Sequence, residues 1–182
     1  MKTLWIPSAA PALAASLLVV AALPAQAKVQ DMSPNGFTLA HTLTVQATPA
    51  QAYQAFAKVA SWWNPEHTYT GKSASLTLDP KPSGCFCEKL GANAGVVHMT
   101  VVYADPGKVL RLSGGLGPLQ QLGVAGAMTL KFTAKDGATE VAFTYAVGGY
   151  TADGLDKLAP IVDQVLGDQL ERYERFASGA KP

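Results

Sequence analysis

Both cysteines of this 182-residue chain fall in one short stretch, Gly84-Cys85-Phe86-Cys87-Glu88-Lys89-Leu90. On a β-strand, residues two apart point the same way with their Cα atoms about 6.6 Å apart. A disulfide wants its Cβ atoms near 3.8 Å, so a Cys85–Cys87 bridge needs a turn or bulge, which Gly84 could help to form. A hairpin turning at Ala92-Asn93 sets Cys87 opposite His98 and Cys85 opposite Thr100, with two thiols and an imidazole on one face, a donor set zinc accepts. Against metal, C-x-C is tighter than the usual ligand spacing, Glu88 points to the other face, and no fourth ligand is evident. Three readings therefore stand: reduced thiols lining the strand and a pocket, which strand geometry favours; a bridge; and a metal centre. The first leads, and neither metal nor cofactor is expected.

Other residues could serve a pocket. His41 interrupts an otherwise apolar parity line, as an interior hydrogen-bonded imidazole or a pocket polar group. Adjacent Trp62 and Trp63 cannot face the same way, so either one plugs the core while the other edges a cavity mouth, or both are core. His67 beside Glu66 reads more readily as a solvated loop residue than as an acid/base pair. The stretch Gly114-Gly115-Leu116-Gly117-Pro118-Leu119-Gln120-Gln121-Leu122-Gly123 has the glycines and leucines of a lid over an apolar site, or of a short fixed turn capping the core. It is not a phosphate loop, since the Lys-Ser/Thr ending is missing. There is no G-x-S-x-G elbow and no H-E-x-x-H helix. Enzymatic chemistry would rest on His41, His98, Tyr103 and Tyr145 alone.

The elements that would position these residues follow a signal-like N-terminus. Lys2 precedes an apolar run from Ala9 to Leu23, and Ala25-Gln26-Ala27 has the small-residue pattern of a cleavage site. Residues 1–27 are expected to be a signal peptide, with the mature chain periplasmic or secreted and without a stable membrane anchor. Without Lys2, basic and acidic residues balance at 13 each. That balance, with no basic stripe, argues against nucleic acid as a partner. The remaining chain is long enough for one domain to build a core without metal or disulfide. Residues 28–36 and 179–182 read as a flexible segment and a tail around a domain at 37–178.

Phe37, Leu39, His41, Leu43 and Val45 alternate with polar or small residues as a half-buried strand does. Thr48 and Pro49 open a short helix with Ala52, Tyr53, Phe56 and Val59 on its apolar face. Six strands follow, ending in a hairpin that sets Met128, Leu130 and Phe132 in parity with Val141, Phe143, Tyr145 and Val147. Short turns such as Asp105-Pro106-Gly107 and Asp136-Gly137 imply an antiparallel meander. A long helix from about Gly154 to Ala177 closes the chain, with Leu158 and Val162 on its apolar side. Pro160 and Gly167 are awkward within it unless Pro160 sits in the first turn and Gly167 allows close approach to the sheet.

The stretches VQATPAQAYQAFAKVASWWNP, VVYADPGKVLRLSG and MTLKFTAKDGATEVAFTYAV resemble the START/Bet v 1-like (SRPBCC) superfamily, in its branch related to the activator of the heat-shock-protein-90 ATPase and to polyketide cyclases. The resemblance covers about Phe37 to Phe176. It implies an α+β helix-grip fold, a curved seven-stranded antiparallel sheet wrapped on a long C-terminal helix, with an apolar pocket between them. It carries over no catalytic residue. Gly84–Leu90 and Gly114–Gly123 are not general to the superfamily, and an exported chain would not meet a cytosolic chaperone.

The expected function is binding of a small apolar or amphipathic molecule between sheet and helix. Pocket candidates are His41, Trp62, Trp63, Cys85, Cys87, His98, Tyr103, Leu116, Leu119, Phe143, Tyr145, Leu158 and Val162. The alternatives are a cyclase- or hydrolase-type enzyme using the same cavity, and a protein-interaction module presenting the outer sheet face or the Leu116–Leu122 loop. Oligomeric state is not legible.

Overall fold

The structure, a computed structural model, describes residues 28–182, so the expected signal peptide lies outside the described residues. The chain runs β1 (Lys28–Ser33), β2 (Gly36–Val45), α1 (Pro49–Ala57), β3 (Leu76–Leu78), β4 (Cys85–Lys89), β5 (Gly95–Asp105), β6 (Val109–Ser113), β7 (Gly123–Lys135), β8 (Ala138–Tyr150) and α2 (Ala159–Ala177). All strands join one antiparallel sheet in the order β1-β2-β8-β7-β6-β5-β4-β3.

The sheet has eight strands, one more than expected. The extra one is the stretch 28–33 within the segment read as flexible, which turns back at Pro34-Asn35 and pairs with β2. Its residues lack apolar alternation because an edge strand can be held by backbone hydrogen bonds with little side-chain burial; Met32 stays exposed.

The inner face follows the period-2 pattern. Leu39 pairs with Tyr145, His41 with Phe143, and Phe143 in turn with Leu130, all buried. Deleting a side chain such as Leu39, which is fully enclosed, would cost about 2–5 kcal/mol.

The first helix begins with a reciprocal cap. The Gln51 N–H donates to Thr48 Oγ1 at 3.4 Å, the Thr48 N–H donates to Gln51 Oε1 at 3.0 Å, and Pro49 takes the first helical position, where no N–H is needed. Its far end is closed by Trp62, whose indole N–H is shared between the carbonyls of Ala55 at 3.1 Å and Phe56 at 3.2 Å. The Ala55 carbonyl also accepts the Lys58 N–H at 3.1 Å, so the indole adds a second donor where the helix's own ladder runs out.

The second helix starts at Ala159, later than the expected Gly154, because residues 151–158 form turns stabilised by bonds such as Leu155 N–H to Pro34 O, 2.8 Å. Pro160 then falls in the first turn, where its missing donor costs nothing. Gly167 faces the sheet: a Cβ there would sit 3.7 Å from His41 Cε1. Tyr173 locks the two helices together, its hydroxyl donating to Ala52 O at 2.9 Å while its ring meets Phe56 edge-on. Among the described residues no helix is long and apolar enough to cross a membrane.

Candidate ligand-binding site

Most of the space between sheet and helix is filled. Around Phe56, Trp62, Leu112, Met128, Phe143 and Leu170 only about 10 Å³ remains, so the centre of the grip is solid core. Free volume lies at one end, where a cavity of about 380 Å³ opens between the first half of α2, the β3–β5 edge and the loops 63–69 and 116–121. That size is at the lower end of the range for small-molecule sites.

The helix supplies Ile161, Val162, Val165 and Leu166, whose spacing puts them on one face. Leu76 and Phe86 come from the sheet edge, Trp63 from the loop after α1, and Leu116 from the loop before β7. Tyr69 and Ile161 keep much of their apolar surface exposed.

Glu66, His67, Thr68 and Gln121 lie toward the rim, while the buried imidazole among these apolar walls is His98, which arrives there by a slip in register. Cys85 pairs with Thr100 and Phe86 with Met99, as a turn at Ala92-Asn93 requires, but Cys87 then pairs with Val97 and His98 is left without a partner. At such a bulge two successive residues on one strand oppose one on the other, which lets His98 join Met99 on the inner face. His98 is 6% exposed and Glu88 1%. The His98 Nε2 lies 3.2 Å from Glu88 Oε2. Glu88 also accepts the Thr70 N–H at 2.7 Å on Oε1 and the Tyr69 N–H at 3.1 Å on Oε2.

These contacts set the protonation of the pair. Burial pushes the Glu88 carboxyl up, but its hydrogen bonds from Thr70, Tyr69 and His98 outweigh that and hold it below its ordinary value. Burial holds the His98 imidazole below its ordinary value, with Glu88 pulling part of the way back. An ionised carboxylate only accepts, so His98 Nε2 carries the proton and Nδ1 carries a lone pair.

A second imidazole, His67, stands at the cavity's exposed side. Buried Gln169 orients it: Gln169 Oε1 accepts the Asn64 N–H at 2.7 Å, so its amide nitrogen points at His67 Nδ1, 2.8 Å away. His67 therefore offers its Nε2–H outward.

Of the residues expected to form a pocket, Trp63, His98, Leu116 and Val162 line this cavity. The others do not. His41 binds Asp163 of α2 at 2.8 Å and packs edge-on to Phe143, tying sheet to helix in the solid part of the core. Trp62 and Phe143 are core, and Leu158 is half-buried just before α2. Tyr103 is 47% exposed on the outer face, with the Arg111 guanidinium 5.7 Å from its ring centre, because a further register shift carries it outward. Tyr145 points inward but its hydroxyl is spent on the 114–116 segment, donating to Gly114 O at 3.0 Å and accepting the Leu116 N–H at 3.2 Å. Leu119 is buried as a core cap. The loop is thus an anchored turn, further held by Gln120 Nε2 donating to Val97 O.

Cys85 and Cys87 correct the leading expectation in two ways. They are bridged to each other, with Cα atoms 5.4 Å apart rather than the extended-strand spacing. They also lie on the face opposite Phe86 and Glu88, away from the cavity and from His98, so two thiols and an imidazole never share a face. Contributors missed in the sequence include Leu76, Phe86, Ile161, Val165 and the supporting Glu88. Phe86 and Glu88 were visible as the alternate parity of the Cys85–Leu90 strand; the loop residues Thr68 and Tyr69 had no comparable signal.

An antiparallel sheet gripping a long C-terminal helix, with a cavity at one end, is the Bet v 1-like helix-grip fold. The chain is similar in structure to an uncharacterized protein from Rhizobium leguminosarum, with TM-score 0.59 and 18% identity over 85% of this chain and 98% of that one. Protein Ms6760 from Mycobacterium smegmatis matches with TM-score 0.55 and 16% identity over 86% and 96% of the two chains. Ara h 8.0201 matches with TM-score 0.55 and 14% identity over 79% and 99%. No family profile and no curated protein sequence matches the chain. Likeness at these identities establishes the fold alone.

Proposed function

We propose that this protein binds a small apolar or amphipathic molecule in the cavity at the end of the grip, and that it does so outside the cytoplasm after loss of residues 1–27. The observation that carries the binding reading is the cavity itself: about 380 Å³ walled by Trp63, Leu76, Phe86, Leu116, Val162 and Leu166, beside a core that is otherwise filled. A ligand gains about 25 cal/mol per Å² of apolar surface it removes from water there. The signal-like N-terminus and the Cys85–Cys87 bridge, which suits an oxidising compartment, support export.

The test is titration with the neutral fluorescent probe N-phenyl-1-naphthylamine. Binding by the wild-type chain, lost in a Val162→Trp variant that fills the cavity yet melts as cooperatively as wild type, supports the reading. A wild-type chain that does not bind it, or a variant that binds equally well, removes it. Export is tested by fractionating cells and sequencing the mature N-terminus.

The Glu88–His98 pair favours a second reading, an enzyme with His98 as general base, since a buried carboxylate that fixes an imidazole tautomer is the arrangement such catalysis uses. Turnover abolished by His98→Phe with probe affinity retained would favour it.

A further inference from the structure

The Glu88 carboxylate spends both oxygens on donors, Thr70 N–H on one and Tyr69 N–H and His98 Nε2–H on the other. His98 Nδ1 is consequently an acceptor, and it has no protein partner. Nor is it sealed in: among the described residues the buried side-chain polar atom that lacks a partner is Thr151 Oγ1, whereas the His98 ring lines the cavity. The same lining contains no lysine and no arginine; its one carboxylate is Glu66, and Glu88 stands directly behind His98. An anionic group entering this end would meet a lone pair backed by a buried negative charge.

We propose that the cavity selects uncharged molecules bearing a hydroxyl group, which donates its hydrogen to His98 Nδ1 while the apolar body lies against Trp63, Phe86, Leu116 and Val162. This inference rests on the cavity being a ligand site, as proposed above. Burial favours the neutral imidazole that the contact needs. Carboxylates and phosphates are excluded by the absence of a cation to receive them, because an anion taken from water without a partner is costly. The second imidazole adds polarity in the opposite sense: His67, with Nδ1 filled by Gln169, presents an Nε2–H at the exposed side. A molecule with a hydroxyl at one end and an ether or carbonyl oxygen at the other matches both.

Three probes of similar shape separate the possibilities by calorimetric titration of the purified protein: 2-naphthol, 2-methoxynaphthalene and 2-naphthoate. The expected order has 2-naphthol tenfold or more tighter than either of the others, with the gap to 2-methoxynaphthalene falling to about twofold in His98→Phe. Equal affinity for 2-naphthol and 2-methoxynaphthalene in wild type, or tightest binding of 2-naphthoate, overturns the hydroxyl preference while leaving the cavity reading intact. Failure of all three to bind defeats the cavity reading and the preference with it.

Should His98→Phe not fold, imidazole nitrogen resonances of the labelled wild-type protein decide the matter. Saturation with 2-naphthol is expected to move the His98 Nδ1 signal while Nε2 stays protonated. An unmoved Nδ1 signal overturns the proposal.

Discussion

His98 Nε2 lies 3.2 Å from Glu88 Oε2, at the one place along β4 and β5 where the pairing slips by a residue. The slip turns an imidazole that would face outward into a cavity wall, and the carboxylate keeps it there. Removing that carboxylate leaves the N–H groups of Tyr69, Thr70 and His98 without their acceptor. Glu88→Ala is expected to lower the unfolding free energy by about 3 kcal/mol, and Glu88→Gln, which keeps one acceptor, by about half as much. Urea unfolding with an unchanged m-value measures both. A loss under about 0.5 kcal/mol in the alanine variant would show that the pair is not buried as described.

The same pair predicts acid sensitivity. His98 and Glu88 both have folded pKa values below their ordinary ones, so the unfolded chain takes up protons more readily than the native one. Stability is fully present above the ordinary histidine value of 6.5 and declines as pH falls through the lowered His98 value; Glu88 adds a further decline below its ordinary 4.5. Urea midpoints at pH 7.5, 6 and 5 should fall in that order, and His98→Phe should flatten the first step. A midpoint that rises toward pH 5 would contradict the assignment.

Tyr145 anchors the loop that carries Leu116 into the cavity. Burial pushes its phenol up to about 12, with the Leu116 N–H pulling the other way. Its contribution is present below the ordinary value of 10 and is lost as pH rises from there toward 12. Tyr145→Phe should cost about 1–2 kcal/mol at neutral pH, reduce the alkaline decline, and speed amide exchange at Leu116 and Leu119. Exchange as slow as in wild type would mean that the loop is held by other contacts.

The Cys85–Cys87 bridge closes a very small loop on the outer face. In the chain-entropy account so short a loop contributes only about 1.5 kcal/mol. Replacing both cysteines with serine should lower stability by no more than about that amount and leave N-phenyl-1-naphthylamine affinity within about twofold, since neither side chain reaches the cavity. A large loss of probe binding would place the bridge in the site.

Gly167 sits within the continuous helix α2 above His41, and a Cβ there meets the ring at an ordinary contact distance, 3.7 Å. Gly167→Ala should therefore stabilise the protein by about 0.5–1 kcal/mol through helix propensity. A higher thermal midpoint with probe affinity unchanged is the expected result. A lower one would mean that His41 and Asp163 must shift to admit the methyl group.

Alternation and capping signals made most of the architecture legible. The Phe37–Val45 line, the Thr48-Pro49 start and the final hairpin are local patterns, and each strand or helix they imply exists because burying an apolar face is favourable wherever the chain places it. The tryptophan pair, the Gly/Leu loop and the helix's apolar side single out Trp63, Leu116 and Val162 as pocket candidates, whereas His98 is singled out by a register beside the cysteines that the strand pairing does not keep. The local patterns failed at β1, which is held by backbone pairing with little burial, and at the start of α2, where bonds to Pro34 and within residues 151–158 override the apolar periodicity.

What the amino-acid sequence determined alone was which faces are oily and in what order the elements come. Only the tertiary structure decided which part of the interior stays unfilled and which buried polar side chain lines it. His41 and His98 look alike in sequence, each an imidazole in a strand, yet one meets Asp163 on the helix while the other is turned inward by a one-residue slip and held by Glu88. Side-chain volume across a sheet–helix gap and the register of two strands are properties of the assembled whole, since each depends on residues far apart in the chain.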